Sequence, residues 1–184
     1  MKAQRVTFEL VLRHLRARDF AVLSTVSKDG EPHSVGVNYS ISRPGRALAI
    51  YVMTRRHLRK ARNIAQNPRV SLVVPLMRRL LWFLPPPVIQ LHGRAEVLDW
   101  TDEEGRNVFG HFWMGRRILD AYRDSHRRGE TRICFLKIDP DPTISTYMVG
   151  YSAWKLRKRM ESGAANVVIP PEYRLPAPPS QSGV

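Results

Sequence analysis

The sequence predicts a mainly β protein, a small barrel of about six strands with helices packed outside it. Three observations predict this. Short β-prone runs recur at close spacing along the 184 residues. Strong turn signals separate several of them. Between them lie stretches whose apolar residues repeat every three to four positions, the period of a helix with one buried face.

The elements follow in order. Thr7 to Arg18 reads as a helix, with Phe8, Val11, Leu12 and Leu15 on one face and Thr7 as its N-cap. Phe20 to Val26 is an apolar strand. Ser27-Lys28-Asp29-Gly30 follows, and Asp-Gly is a hairpin turn signal. Pro32 to Ser42 alternates loosely, with Val35, Val37, Tyr39 and Ile41 on one side. The turn Arg43-Pro44-Gly45-Arg46 leads into Ala47 to Val52, and these three strands read as an antiparallel meander. Arg56 to Gln66 reads as a helix ended by Asn67-Pro68, and Val70 to Val74 is another strand.

Pro75 to Pro87 is an irregular insertion, both basic and apolar, whose expected role is a lid or dimer contact. Val88 to Leu98 is a strand with Gly93 inside it, which points to a bulge or a close backbone approach. Thr101-Asp102-Glu103-Glu104 resembles a capping box that starts a helical region. That region runs to about Arg127, with a break near Gly110 or Gly115. Ile133 to Ile138 and Thr143 to Met148 read as two strands around Asp139-Pro140-Asp141-Pro142, and Ser152 to Met160 as a short basic helix. The expected organisation is a single domain over 1–167 and an extended Pro/Ser-rich tail over 168–184.

Composition bounds the function. The hydrophobic fraction, 43%, is ordinary for a globular chain. No apolar run approaches the roughly 20 residues that span a bilayer. The first residues lack the apolar centre of a secretory signal, so a cytoplasmic protein is expected. The single cysteine, Cys134, lies in an apolar run and reads as a buried strand residue rather than a reactive thiol. Net charge is the outlier, at +14 with a pI near 10.8. Such a field attracts anions of any kind.

Familiar catalytic motifs are missing: no His-Glu-x-x-His, no phosphate-binding P-loop, no nucleophile elbow, no dinucleotide fingerprint. The six histidines have no clear metal-ligand spacing and the acidic residues form no obvious catalytic pair. No catalytic residue and no metal site are assigned. If the protein is an enzyme, a bound cofactor carries the chemistry. The strongest constellation is Thr54-Arg55-Arg56-His57-Leu58-Arg59-Lys60-Ala61-Arg62-Asn63, where a strand ends and a helix starts amid five cationic side chains. Free N–H groups and the helix dipole favour an anion at such a point. On physics alone it reads equally as a solvated basic helix face.

Several pieces stand in a particular order: Phe20 to His33 with its Asp-Gly-Glu-Pro turn, then Thr54 with Arg59-Lys60-Ala61-Arg62-Asn63-Ile64, then Asn67-Pro68-Arg69-Val70-Ser71-Leu72, then His92 to Val97. In this, residues from about Phe20 to Asp99 resemble the pyridoxamine 5'-phosphate oxidase-like, flavin-binding split-barrel family. The resemblance implies a six-stranded split barrel and a homodimer with the cofactor at the subunit interface. It implies that Ser34, Val35, Gly36, Val37 and Asn38 line the flavin ring, that Thr54, Arg59 and Lys60 grip the phosphate, and that Gln90 adds a polar contact. Leu58 stands where a Ser or Thr often precedes the Arg-Lys pair, which leaves the phosphate to Thr54 and the cations.

The resemblance permits FMN, placed first, or the deazaflavin F420, whose anionic tail wants a basic groove such as the Arg55-Arg56, Arg78-Arg79 and Arg116-Arg117 pairs would supply. Haem comes third, since no histidine stands out as an axial ligand. The implied activity is hydride transfer between the flavin and a small planar substrate. Trp154 and Arg157 match part of a substrate-binding pattern of true oxidases, although a Trp-x-x-Arg helix spacing also arises from packing alone. Two other classes stay open: a cofactor carrier or sensor without turnover, and a basic nucleic-acid or membrane-surface module built on Trp154 to Met160 and Arg78 to Phe83. No recognised nucleic-acid motif is present, so no specific nucleic-acid partner is expected, and peripheral membrane contact is the less favoured role.

Overall fold

The computed structural model describes residues 6–76, 86–111, 113–150 and 163–174. In chain order the elements are α1 (Phe8–Arg16), β1 (Phe20–Val26), β2 (Pro32–Ile41), β3 (Ile50–Arg55), α2 (Arg59–Gln66), β4 (Arg69–Pro75), β5 (Val88–Asp99), α3 (Glu103–Phe109), α4 (Trp113–Arg127), β6 (Ile133–Tyr147) and β7 (Ala164–Val168). The sheet order is β3-β2-β1-β4-β5-β6-β7, and a further pairing of β3 with β6 closes the first six strands into an antiparallel barrel. Among the described residues no helix is long and apolar enough to cross a membrane.

Two apolar clusters hold the layers together. The larger joins inward residues of the barrel, among them Leu23, Val37, Tyr39, Val52, Leu72, Leu91 and Leu136, to Val11, Leu12 and Leu15 of α1 and Ala61 and Ile64 of α2. The smaller lies between the outer side of β3 and β6 and helices α3 and α4. There Tyr51, Met53 and Phe135 meet Trp100, Val108, Phe109 and Leu119, with Trp100 stacked on Phe135 at 5.7 Å. The two short helices dock at opposite ends of the β1–β2 ladder. The Tyr39 hydroxyl donates to the Leu15 carbonyl at one end, and Asn63 Nδ2 donates to Thr25 Oγ1 at the other.

The expected helices and turns form with shifted bounds. Thr7 caps α1 by accepting from the Leu10 N–H. The helix expected from Arg56 begins at Arg59 instead. The Arg56 N–H is still tied to the Arg132 carbonyl, and a turn closed by the Leu58 N–H to the Arg55 carbonyl precedes the helix. The break between α3 and α4 comes at Gly110. Asp102, rather than Thr101, caps α3, because the Thr101 N–H and hydroxyl are both bound to Asp99.

One expectation changes. The two strands around Asp139-Pro140-Asp141-Pro142 are a single strand, β6. Its first half pairs with β3 up to Ile138, and its last part pairs with β7 from Thr143. Pro140 and Pro142 fall in the interval between those ladders, where that edge needs no donor, so their missing N–H groups do not interrupt it. On the other edge the register shifts between Leu91 and Gly93. A Cβ at Gly93 would lie 2.4 Å from the Asp139 carbonyl oxygen, so the backbones approach as the glycine predicted.

The boundary expected at residue 167 falls inside β7. Beyond it Ile169 is buried. The Tyr173 ring packs 4.9 Å from Phe8, and its carbonyl accepts from the Leu48 N–H. Arg78 to Phe83 and the expected helix over 152–160, with Trp154 and Arg157, lie outside the described residues.

Candidate functional site

The barrel opens between β2 and β3. The two strands pair only at Tyr39, Ser40 and Ile41 with Val52, Tyr51 and Ile50. Before Tyr39, β2 runs with β1 as far as Pro32, while β3 runs past Val52 with β6. From Pro32 to Asn38 the second edge of β2 therefore has no partner strand among the described residues. The backbone N–H and C=O groups on that edge are open to a ligand.

Thr54 sits near the end of β3, directly across the ladder from Cys134. Its alternation with Ile50 and Val52 turns it to the barrel side, where α2 covers the end. The residue is 1% exposed, and its Oγ1 is buried without a hydrogen-bond partner. A buried hydroxyl left unpaired is unfavourable by about 1–3 kcal/mol, so it is the kind of atom a ligand is expected to satisfy. Lys60, in the first turn of α2, is partly buried and has no carboxylate partner among the described residues. Burial holds its pKa below the ordinary lysine value, opposed by Cys134. Cys134 itself is an inert thiol, fully buried, and burial pushes its pKa up to about 11.

The N-terminus of α2 adds to this. Leu58 occupies the N-cap position and makes no side-chain cap hydrogen bond. The departure from pattern read in the sequence thus leaves the first N–H groups of α2 without the hydroxyl that would otherwise answer them. Arg59 is exposed and forms an ion pair with Glu31 of the β1–β2 turn at 2.8 Å. It stands at the mouth of the opening, already engaged. The neighbouring cations are also held: Arg56 by Asp99 at 3.1 Å, Arg55 by Glu130 at 3.5 Å with its guanidinium over the Tyr122 ring.

The pleat divides the five β2 residues. Val35 and Val37 turn inward, Val37 into the core, while Ser34, Gly36 and Asn38 are exposed on the outer face. Only the Ser34 and Asn38 side chains, with the bare backbone of Gly36 between them, can meet a ring on that face, and the two valines can meet one only through their backbone. Across from them Phe20 is 47% exposed, its ring against Gly36, where a Cβ would fall 2.9 Å from the ring edge.

Gln90 is separate. It shares the outer face in a cross-strand row Gly36, Val22, Val73, Gln90, three strands from Gly36, roughly 14 Å at the usual strand spacing. It makes contacts with Ser71 at 3.5 Å and His92 at 3.3 Å. Within one chain the fold brings Thr54, Lys60, Arg59 and the Ser34–Asn38 edge around one opening and leaves Gln90 apart.

Two structural roles were not read from the sequence, although Asn63 and Ser34 were named in it. Asn63 is 5% exposed and fixes α2 to β1 through its bond to Thr25. The signal was a polar residue on the helix face that also carries Ile64 and Ala61. The other is the outer sheet face, where Ser24 and Ser34 share a hydrogen bond of 2.8 Å beside Ser71.

Comparison with known proteins agrees with this architecture. Residues 9–142 match the sequence profile of the family described as pyridoxamine 5'-phosphate oxidase. A 5a,11a-dehydrotetracycline/5a,11a-dehydrooxytetracycline reductase of Streptomyces rimosus subsp. rimosus is 33% identical over 98 residues, 52% of this chain. The match spans 66% of that reductase, just under two thirds of its length. A pyridoxamine 5'-phosphate oxidase-related, FMN-binding protein of Nostoc punctiforme superposes with a TM-score of 0.57 at 12% identity, over 91% of this chain and 99% of that one. The heme storage protein HutZ of Vibrio cholerae superposes with a TM-score of 0.58 at 17% identity, over 76% and 94%. At those identities the two structures speak for the fold alone. With most of its length under the family profile and a closed six-stranded barrel opened between β2 and β3, the chain belongs to the pyridoxamine 5'-phosphate oxidase-like split-barrel family.

Proposed function

We propose that the protein is a flavin-dependent oxidoreductase that transfers a hydride between FMN, or alternatively F420, and a small planar substrate. The observation that carries this reading is the unpaired, buried Thr54 hydroxyl near the end of β3, followed in the chain by an uncapped helix start that carries the partly buried Lys60. A phosphate accepts from all three kinds of donor: the hydroxyl, the ammonium and the free N–H groups of the helix start. The residues fit a phosphate-bearing cofactor, and Thr54, Lys60 and Arg59 are the ones that would hold it.

When bound, the flavin supplies the hydride chemistry. The chain's own residues bind and orient. The open edge from Ser34 to Asn38 offers backbone donors and acceptors to a flat heteroaromatic ring, and Phe20 and Gly36 give that ring a smooth surface. No side chain here is assigned a proton. The likeness to a tetracycline reductase supports reduction of a planar organic substrate.

The outer face supports a homodimer with the cofactor between the two copies. Ser24, Ser34, Ser71 and Gln90 present small or polar side chains there, and Phe20 and Val168 stand exposed at 47% and 59%. Gln90, too far to serve its own opening, would then serve the other copy's. A haem-binding carrier is the second reading, favoured by the fold shared with HutZ. Absorbance spectra of the protein titrated with FMN, F420 and haemin decide among the three. Saturable binding of FMN or F420, with turnover on reduction, supports the proposal. Exclusive binding of haemin overturns it.

A further inference from the structure

A groove rimmed by arginines lies at the other end of β2, away from Thr54. A cavity of about 430 Å³ occupies the corner between the end of α1, the last residues of β2 and the end of α3. A second, of about 390 Å³, continues it along α3 to α4, and the two share Arg43 and His111. Leu15, Tyr39 and Val108 form an apolar floor to the first, and Leu119 to the second. The rim carries Arg16, Arg18, Arg43 and Arg106.

None of these four arginines has a carboxylate within ion-pair distance among the described residues, and the cavities bring them together around one apolar floor. Arg123, which also lines the second cavity, is held by Asp120, and away from the groove Arg127 pairs with Asp124, Arg132 with Glu130 and Arg69 with Asp141. Asp19 and Glu103 also line the groove, yet neither pairs with an arginine there. Arg16 and Arg106 sit in the last turns of α1 and α3, where one cation offsets the helix dipole. Arg18 and Arg43 lie outside any helix and have no such role. The field of Arg18 reaches beyond the groove: His14 is held below its ordinary pKa, first by burial and then by Arg18 and Arg13.

An apolar floor with a few converging polar groups, in a volume of this order, is the usual form of a small-molecule site. Guanidinium forks at several points of the rim match an oligophosphate, which carries several charges in a short length. We propose that this groove binds a small molecule bearing a run of phosphates, at a site separate from the Thr54 opening.

Titration calorimetry in 0.15 M salt tests this, with inorganic triphosphate and ATP as probes. The expected result is saturable binding, weakened about tenfold or more by Arg18→Gln or Arg43→Gln. It is expected to change less than about twofold with Arg127→Gln, an arginine already paired, or with Thr54→Val. Tighter binding of ATP than of triphosphate would assign the apolar floor to an organic body, and equal binding would assign the site to free oligophosphate. The proposal is overturned by absence of saturation, by equal losses in the Arg127→Gln control, or by loss in Thr54→Val, which would place the probe at the other site. It is equally overturned if a single-stranded DNA oligomer binds through the same arginines and displaces triphosphate, since the groove would then be a nucleic-acid surface.

Discussion

Replacing Thr54 by Val separates folding from binding, because the two effects have opposite signs. The side chains are nearly the same size, so the packing around this residue, 1% exposed, is kept. Without ligand the substitution removes a buried hydroxyl that has no partner. Relief of that desolvation is about 1–3 kcal/mol in favour of the variant. For a chain of 184 residues each kcal/mol moves the melting temperature by about 2–4 °C. The free variant is therefore expected to melt several degrees higher than the parent. With a phosphate bound, the lost hydrogen bond to a charged group is worth about 1.5–3 kcal/mol, which weakens affinity about 10- to 150-fold. Thermal melts with and without FMN, and a fluorescence titration, read both. A variant that melts lower when free, or that binds FMN within twofold of the parent, would refute the reasoning.

Other outcomes follow from single residues. Lys60→Met is expected to stabilise the free protein near neutral pH and to weaken FMN about tenfold. Because burial lowers the folded pKa of Lys60, the folded chain holds its proton less tightly than the unfolded one. Parent stability then gains from this group as pH rises from the folded pKa toward the unfolded value of about 10.5, and urea midpoints against pH should lose that alkaline gain in the variant. Gly93→Ala places a Cβ 2.4 Å from the Asp139 carbonyl oxygen and should destabilise by about 3 kcal/mol, read from the urea midpoint. Asn63→Ala leaves Thr25 without its 3.0 Å partner and should cost about 1–3 kcal/mol. Cys134, fully buried with its thiol near 11, should resist a disulfide reagent at pH 8 in the native state and react on unfolding.

The elements of the barrel were legible because each obeys a local rule. Thr7 caps α1, Asp29-Gly30 turns the first hairpin, and Gly93 marks the bulge. Local rules also misled at Pro140 and Pro142, which read as a break. Their place between two different ladder partners of β6 depends on β3 and β7, remote in sequence. In the same way the pattern Thr54 to Asn63 displayed its charge, while the opening between β2 and β3 that gives it a purpose is a matter of strand pairing. Nothing local distinguishes Lys60 from the cations around it. Only the fold shows that Arg55, Arg56 and Arg59 are paired with Glu130, Asp99 and Glu31, while Lys60 is partly buried and without a carboxylate.

The central claim is that the opening between β2 and β3 recognises a phosphate borne by a flavin. The most direct test compares FMN with riboflavin, which lacks the phosphate, and F420 with its phosphate-free deazaflavin core, on the parent and on Thr54→Val. The phosphorylated form of one pair is expected to bind at least about tenfold more tightly to the parent, with that advantage shrinking in the variant. Equal affinity for both members of each pair, or an advantage untouched by the substitution, would contradict it.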